Sequence, residues 1–121
     1  MLEKLVVLNF FQEESVVEIK YNLNGKTLCA ELKGELDEYT AEYVRLTLDS
    51  FLKEKETKDA EELILDFSSV SFMDSTGIGV LLGRYNKFNK YDISMFIKNP
   101  QRHVDRILKM TGIYEIMPKI S

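Results

Sequence analysis

One stretch of the sequence concentrates the residues that can do chemistry. Asp74, Ser75 and Thr76 place a carboxylate and two hydroxyls in succession, and Gly77 and Gly79 follow. The stretch comes after an apolar run and opens a helical apolar pattern, so we expect the Ser75 hydroxyl to be exposed at the first turn of a helix. Unpaired backbone N–H groups and the positive end of the helix dipole would favour an anion there. This placement is typical of a serine that accepts a phosphoryl group.

A purely structural explanation of the same residues is also open. Asp or Ser at the start of a helix commonly caps it, which contributes about 1 kcal/mol. Gly77 would permit close backbone approach at the turn. Gly79 and Gly83 lie four residues apart on one helical face and would let the helix pack closely against a neighbour.

Three enzyme classes fit the stretch poorly. The spacing of Gly77, Gly79 and Gly83 is one residue too long for a dinucleotide fingerprint, and these glycines fall inside the predicted helix. The Asp-Ser-Thr-Gly run of an acid protease belongs on a β-rich scaffold with paired carboxylates. A serine hydrolase needs a general base, and the only histidine, His103, is predicted on a surface helix. We therefore expect no catalysis, no bound cofactor and no metal.

The composition sets further bounds. The chain has 121 residues, 45% of them hydrophobic, and a formal net charge of −4, values typical of one globular domain. The low pI of about 5.1 disfavours nucleic acid as a direct partner. No apolar run is long enough to span a bilayer, the amino end does not resemble a signal peptide, and Cys29 is the only cysteine. We expect a cytoplasmic protein that does not bind membranes.

The apolar periodicity predicts the order β-β-α-β-α-β-α-β. Alternating strands and helices favour an α/β fold with a mixed, mostly parallel sheet opened by a β-hairpin, with helices packed on the sheet. Residues 1–15 form an N-terminal extension to a domain of residues 16–121, and an edge strand, a short helix or a cover for a partner surface all remain open for them. Pro100 is expected at the first position of the last helix, and Gly112 at its end. The predicted strands are residues 17–21, 28–32, 63–67, 93–97 and 113–117. The predicted helices are residues 41–52, about residues 75–89, and a last helix that begins at Pro100 and is stopped by Gly112.

Two blocks of sequence carry a family resemblance. The first is Leu-Lys-Gly-Glu-Leu-Asp-Glu-Tyr-Thr-Ala-Glu at residues 32–42, and the second includes Val-Ser-Phe-Met-Asp-Ser-Thr-Gly-Ile-Gly at residues 70–79, followed by a Gly-Arg-Tyr at residues 83–85. Through these blocks the chain resembles the STAS-domain anti-sigma factor antagonists, most closely the members that act on the anti-sigma F factor in sporulation. The resemblance extends over residues 16–118 and implies the STAS fold.

The resemblance implies a regulatory role centred on Ser75. In such a scheme the unphosphorylated antagonist binds an anti-sigma factor that is also a serine kinase, and thereby frees the sigma factor. Phosphorylation at Ser75 releases the antagonist, and a metal-dependent serine phosphatase restores it. The protein would be a monomer or weak dimer. Two alternatives stay open, namely a STAS partner-switch component of stress or phosphatase signalling, and a small-ligand module that binds a nucleotide at the Ser75 loop.

The same resemblance assigns the partner-binding residues. Asp37 would lie beside the phosphoacceptor in the docking surface, with helix capping as an equal alternative. Asp74 would orient the Ser75 hydroxyl, while Thr76 and Gly77 shape the turn. Thr76 stands where close members carry a second serine, and a Glu-Tyr pair at residues 38–39 replaces a histidine pair. Arg84 has two interpretations, a partner contact or a side chain that reaches solvent at one edge of the helix.

Overall fold

The computed structural model describes the backbone of residues 6–12 and 15–121, and the side chains from residue 16 onward. The described chain alternates strands and helices after an opening run of three strands. The elements are β1 (Val6–Gln12), β2 (Ser15–Asn24), β3 (Thr27–Leu36), α1 (Ala41–Ser50), β4 (Glu62–Met73), α2 (Ser75–Asn89), β5 (Ser94–Lys98), α3 (Arg102–Met110), a 3-10 turn (Ile113–Glu115) and β6 (Lys119–Ile120).

The strands form one sheet in sequence order, β1-β2-β3-β4-β5-β6. The first two pairings are antiparallel, and the pairings from β3 to β6 are parallel. The predicted α/β class, with a hairpin opening a mixed sheet, is confirmed. Of the alternatives for the amino end, the edge strand is the one found, because β1 pairs along β2.

The alternation in β2 and β3 places one side of the hairpin in the core. Val17 and Ile19 of β2 are fully buried, and Ile19 pairs with the equally buried Leu32 of β3. The loop of the hairpin contains Gly25, whose φ of +65° suits a residue without a Cβ atom. Helices α1 and α2 contact each other and bury apolar side chains in the same core, among them Val44, Leu48, Ile78, Leu81 and Phe88.

Two predictions about the carboxyl end are wrong. The segment predicted as a strand at residues 113–117 is a 3-10 turn followed by irregular chain, and the last strand is the short β6. Its buried residues Ile113 and Met117 are four apart, a spacing that fits a helical turn as well as a strand. Pro100 does not begin α3. Asn99 has a φ of 52°, and the extended Gln101 is the N-cap, so the helix begins two residues after the proline.

Candidate functional site

The candidate site lies where two parallel strands end side by side. Leu36 at the end of β3 pairs with Met73 at the end of β4. The residue after each strand is an aspartate, and the backbone N–H of Asp74 donates to the carbonyl of Leu36 at 3.3 Å. The sheet therefore brings Asp37 and Asp74 to one edge, at the carboxyl ends of the parallel strands, where α/β proteins commonly place functional loops.

Asp74 is the N-cap of α2. Its backbone is extended, and its Oδ1 atom accepts hydrogen bonds from the N–H groups of Thr76 at 2.9 Å and Gly77 at 3.2 Å. Its carbonyl accepts the N–H of Ile78 at 3.1 Å. The expectation of free N–H groups behind Ser75 is therefore wrong at these positions, because the carboxylate already fills the end of the helix. None of these hydrogen bonds joins Asp74 to the Ser75 hydroxyl.

Ser75 is the first residue of α2, as predicted, and it is exposed. Within residues 15–121 its hydroxyl takes part in no hydrogen bond. The side chain of Ser75 is exposed to solvent, whereas Gly77 and Ile78, which follow it in the first turn, are buried. The hydroxyl is thus accessible to an enzyme that would modify it, while its backbone is held by the sheet and the capped helix.

Asp37 is buried, with 7% of its surface exposed. Its Oδ1 atom accepts hydrogen bonds from the N–H groups of Tyr39 at 2.9 Å and Thr40 at 3.1 Å. The Thr40 hydroxyl donates to the carbonyl of Glu35 at 2.7 Å. The aspartate consequently shapes the turn that leads into α1, as in the capping alternative. A contact between Asp37 and a partner stays a prediction.

Gly77 lies against the end of β3. A Cβ atom there would be 2.6 Å from the carbonyl oxygen of Leu36, and no side chain can be placed at that distance without movement. The expected close backbone approach is therefore present. The prediction for Gly79 and Gly83 is wrong, because a Cβ atom at either position would meet nothing within 4 Å.

The strand ends and the helix that form the site also expose apolar side chains, which the sequence interpretation missed. Phe72 is 46% exposed at the end of β4, and Tyr39 is 40% exposed in the turn after Asp37. On α2, Leu82 is 41% exposed and follows Ser75 by seven residues, which places both on one helical face. This face of α2 is therefore exposed to solvent. The missed signal was the i, i+4, i+7 row of Ser75, Gly79 and Leu82.

Arg84 reaches neither a partner surface nor the solvent edge. It is buried between α1 and α2, with its Nε atom 2.9 Å from Oδ1 of the buried Asp49. The N–H bond is not aligned with the carboxylate, so the pair is held by charge rather than by a well-formed hydrogen bond. Lys87 also contacts Asp49, at 3.2 Å. An acidic residue next to Leu48 in the apolar stripe of α1 was the available signal for this ion pair.

Two other side chains of potential chemical interest are His103 and Cys29. His103 is exposed, and its Nε2 atom lies 2.6 Å from the carbonyl oxygen of Ser71. Burial raises the pKa of the Cys29 thiol, which disfavours the nucleophilic thiolate. In the part of the chain that the structure describes, no group of three or more metal-ligating side chains is found. The described helices are all too short or too polar to cross a bilayer.

Comparison with known proteins agrees with this architecture. The sequence profile of the STAS domain matches residues 18–121. The anti-sigma F factor antagonist of Paenibacillus polymyxa is 33% identical over 102 residues, which cover 84% of this chain and 85% of that protein. The anti-sigma-B factor antagonist of Staphylococcus aureus strain NCTC 8325 is 29% identical over 101 residues, covering 84% of this chain and 90% of that protein.

The solved structures of the anti-sigma factor antagonist SpoIIAA share the fold. The unphosphorylated form is 24% identical with a TM-score of 0.69, and the alignment covers 85% of this chain and 88% of SpoIIAA. The phosphorylated form, from Bacillus, is 23% identical with a TM-score of 0.63, and the coverage is 85% and 91%. STAS anti-sigma factor antagonists are non-enzymatic regulators. The chain is therefore a non-enzymatic member of the STAS-domain family, in the group of the anti-sigma factor antagonists.

Proposed function

We propose that this protein is a phosphorylation-controlled antagonist of an anti-sigma factor, with Ser75 as the phosphoacceptor. The unphosphorylated form binds an anti-sigma factor that is also a serine kinase, and the bound anti-sigma factor then releases its sigma factor. Phosphorylation of Ser75 by that kinase ends the complex, and a serine phosphatase restores the binding form. The switch acts in the cytoplasm, and the protein works as a monomer or weak dimer.

The observation that supports this proposal most directly is the position of Ser75. Its hydroxyl is exposed at the first residue of α2, on a backbone fixed by the Asp74 cap and by the hydrogen bond from Asp74 to Leu36. A kinase can reach such a hydroxyl without unfolding any element. The relative SpoIIAA is known in a phosphorylated and an unphosphorylated form, which agrees with a reversible modification on this fold.

The electrostatics of the site support release on phosphorylation. A phosphoserine carries about −1.5 to −2 charges at neutral pH. At Ser75 it would stand beside the Asp74 carboxylate, whose Oδ1 atom already occupies the N–H groups of Thr76 and Gly77. The added charge is therefore poorly compensated within the chain. Phe72 precedes Ser75 by three residues and Leu82 follows it by two helical turns, and both are exposed. A partner that covers both side chains would have to desolvate the phosphate.

Four further residues belong to the proposed docking surface. Asp37 and Asp74 hold the two adjacent loops in place through hydrogen bonds to backbone N–H groups. Thr76 is exposed next to the acceptor, and Gly77 lets α2 lie against β3. We assign Thr76 a direct contact with the partner, and we assign the other three the task of presenting Ser75 and its surroundings.

The branch of the family is part of the proposal. The identity to the antagonist of the anti-sigma F factor favours a role in sporulation. The similarity to an antagonist of the anti-sigma-B factor supports, as the second candidate, a partner switch in stress signalling. The two candidate functions are distinguished by identifying which sigma factor is released when the protein is added to the complex of its anti-sigma factor with that sigma factor.

The test measures modification and binding together. The purified protein is incubated with ATP and the cognate anti-sigma kinase, and its intact mass is recorded. We expect a gain of one phosphate that Ser75→Ala abolishes and that the control Ser94→Ala, at an exposed serine at the start of β5, retains. Calorimetry should show that Ser75→Ala binds the kinase like the wild type, whereas Ser75→Asp binds at least tenfold more weakly. Phosphorylation that survives in Ser75→Ala, or equal affinity of Ser75→Ala and Ser75→Asp, would contradict the proposal.

A further inference from the structure

The exposed face of α3 carries a row of cationic side chains. Arg102, Arg106 and Lys109 are all exposed and follow the i, i+4, i+7 spacing that aligns side chains along a helix. Together with Asp105 and Met110 they line a surface groove of about 400 Å³. We call Arg102, Arg106, Lys109 and Met110 the α3 ridge. It is a local exception in a chain whose formal net charge is −4.

The one carboxylate in the groove is already paired. Asp105 accepts a hydrogen bond from the Tyr114 hydroxyl at 2.6 Å, and its oxygens lie 3.0 Å from Nζ of Lys119 and 3.1 Å from Nζ of Lys109. The single negative charge of Asp105 is thus shared by two lysines. Arg102 and Arg106 have no acidic partner among the described side chains. The α3 ridge consequently presents net positive charge to solvent.

The α3 ridge also ends in an exposed apolar group. Met110 is 79% exposed, and it follows Arg106 by one helical turn. A flexible, apolar side chain beside guanidinium groups is typical of protein-binding surfaces, where methionine and arginine are enriched. Nucleic acid would use the cations but not the methionine.

The α3 ridge is close to the Ser75 edge of the molecule. The Nε2 atom of His103 lies 2.6 Å from the carbonyl oxygen of Ser71, and the side chain of Gln101 donates to the carbonyl of Ser68 at 3.0 Å. Four residues of chain span at most about 14 Å from Ser71 to Ser75, and the helix rises about 10 Å over the seven residue steps from Arg102 to Lys109. A standard interface of about 800 Å² per partner is roughly 30 Å across. One partner can therefore cover Ser75 and the α3 ridge together.

We propose that the α3 ridge is a second docking surface for the anti-sigma kinase and binds an acidic segment beside the kinase's catalytic cleft. This inference rests on the proposed function, since it assigns another contact to the same partner. The positive charge of the α3 ridge favours an acidic partner segment. The exposed, apolar Met110 favours a protein over nucleic acid as the partner. The contact adds affinity that does not depend on the Ser75 hydroxyl and steers the kinase toward this end of the acidic domain.

The test is a double charge reversal with a matched control. Arg102→Glu/Arg106→Glu removes two ridge cations that form no ion pair in the described chain. Lys55→Glu/Lys58→Glu makes the same change in net charge in the exposed loop before β4. Binding of each purified protein to the cognate anti-sigma kinase is measured by calorimetry over a series of salt concentrations. Thermal unfolding establishes that the variants are folded, and Arg106→Gln serves as a milder ridge variant.

We expect the ridge variant to bind at least tenfold more weakly at low salt and to show a flatter salt dependence. Charges at the rim of an interface speed association, and dissolved salt screens this attraction, so removing them lowers both the affinity and its sensitivity to salt. The loop variant should bind within about twofold of the wild type. If the wild type binds and both variants bind equally well, the inference about the α3 ridge is wrong while the proposed function stands. If the wild type does not bind the kinase at all, both fail. Salt-sensitive binding of a short DNA duplex that only the ridge variant loses, with kinase binding unchanged, would assign the α3 ridge to nucleic acid and overturn the proposal.

Discussion

Substitution of glycine by alanine is expected to have opposite effects on stability at different positions of α2. It should destabilise the fold at Gly77 and stabilise it at Gly79 and Gly83. At Gly77 an alanine Cβ would lie 2.6 Å from the carbonyl oxygen of Leu36, 3.0 Å from Cγ of Met73 and 3.1 Å from Cβ of Leu36. The carbonyl belongs to the backbone of a sheet strand and accepts the N–H of Asp74. Relief therefore requires α2 to move away from β3. Overpacking of this kind costs about 1–3 kcal/mol.

At Gly79 and Gly83 the same methyl group would meet nothing within 4 Å. Alanine at an open position in the interior of a helix is more stable than glycine by about 0.5–1 kcal/mol, since it reduces the backbone entropy lost on folding. The free energies of unfolding of Gly77→Ala and Gly79→Ala should consequently differ by about 1.5–4 kcal/mol. For a chain of this length, each kcal/mol corresponds to about 4 °C in Tm.

The measurement is urea denaturation followed by circular dichroism, with the m-value compared between variants. We expect Gly77→Ala to unfold at lower urea than the wild type, and Gly79→Ala and Gly83→Ala at slightly higher urea, all with one m-value. The geometric reasoning is refuted if Gly77→Ala is as stable as Gly79→Ala. It is also refuted if all three variants are less stable than the wild type. The open space at Gly79 and Gly83 and the higher helix propensity of alanine should make those two variants more stable.

Two other predictions concern carboxylates that hold elements together. Asp74→Ala removes the cap of α2 and should lower the free energy of unfolding by about 1 kcal/mol, while Asp74→Asn keeps a capping side chain and should cost less than half of that; equal losses in thermal unfolding would show that the cap is not the reason. The hydroxyl of Tyr114, followed by Lys119 and Lys109, lowers the pKa of Asp105 from 3.8 to about 2. The ionised group therefore stabilises the fold above pH 3.8, and the contribution is lost as the pH falls toward 2. The stability difference between wild type and Asp105→Asn should be largest near neutral pH and shrink over that range, and a constant difference in urea titrations would contradict this origin.

The parts of the fold that were predictable from sequence are those set by local pattern. The prediction of α2 at about residues 75–89 is confirmed, because an aspartate cap and a long apolar stripe both define it. The hairpin of β2 and β3 follows from alternation on both sides of Gly25. The error at Ile113 and Met117 arose because two apolar residues in a short segment fit a strand and a helical turn equally well.

The parts of the site that could not be predicted depend on tertiary contacts. Asp49 and Arg84 are 35 residues apart in sequence, and their ion pair exists only because α1 packs on α2. The space around Gly79 depends on which side of α2 the core occupies. Similarly, the sequence indicates a cap at the start of α2 but does not tell whether Asp74 or an added anion takes the N–H groups. In each case the outcome depends on which side chains or backbone groups the packing of the helices places next to the residue.

The Asp74 cap changes how the proposed switch must work. Had the N–H groups of Thr76 and Gly77 been free, a phosphate on Ser75 could bind to them, and the helix end would absorb much of its charge. Because Oδ1 of Asp74 occupies both, phosphate can reach them only by displacing a cap that contributes about 1 kcal/mol. Otherwise it remains in solvent beside a second negative charge. In either case the sheet and the core need not move. Phosphorylation therefore acts on docking through local charge at the Ser75 edge rather than through a change of fold, and Asp74→Asn is expected to weaken the effect of the phosphate on binding without abolishing modification.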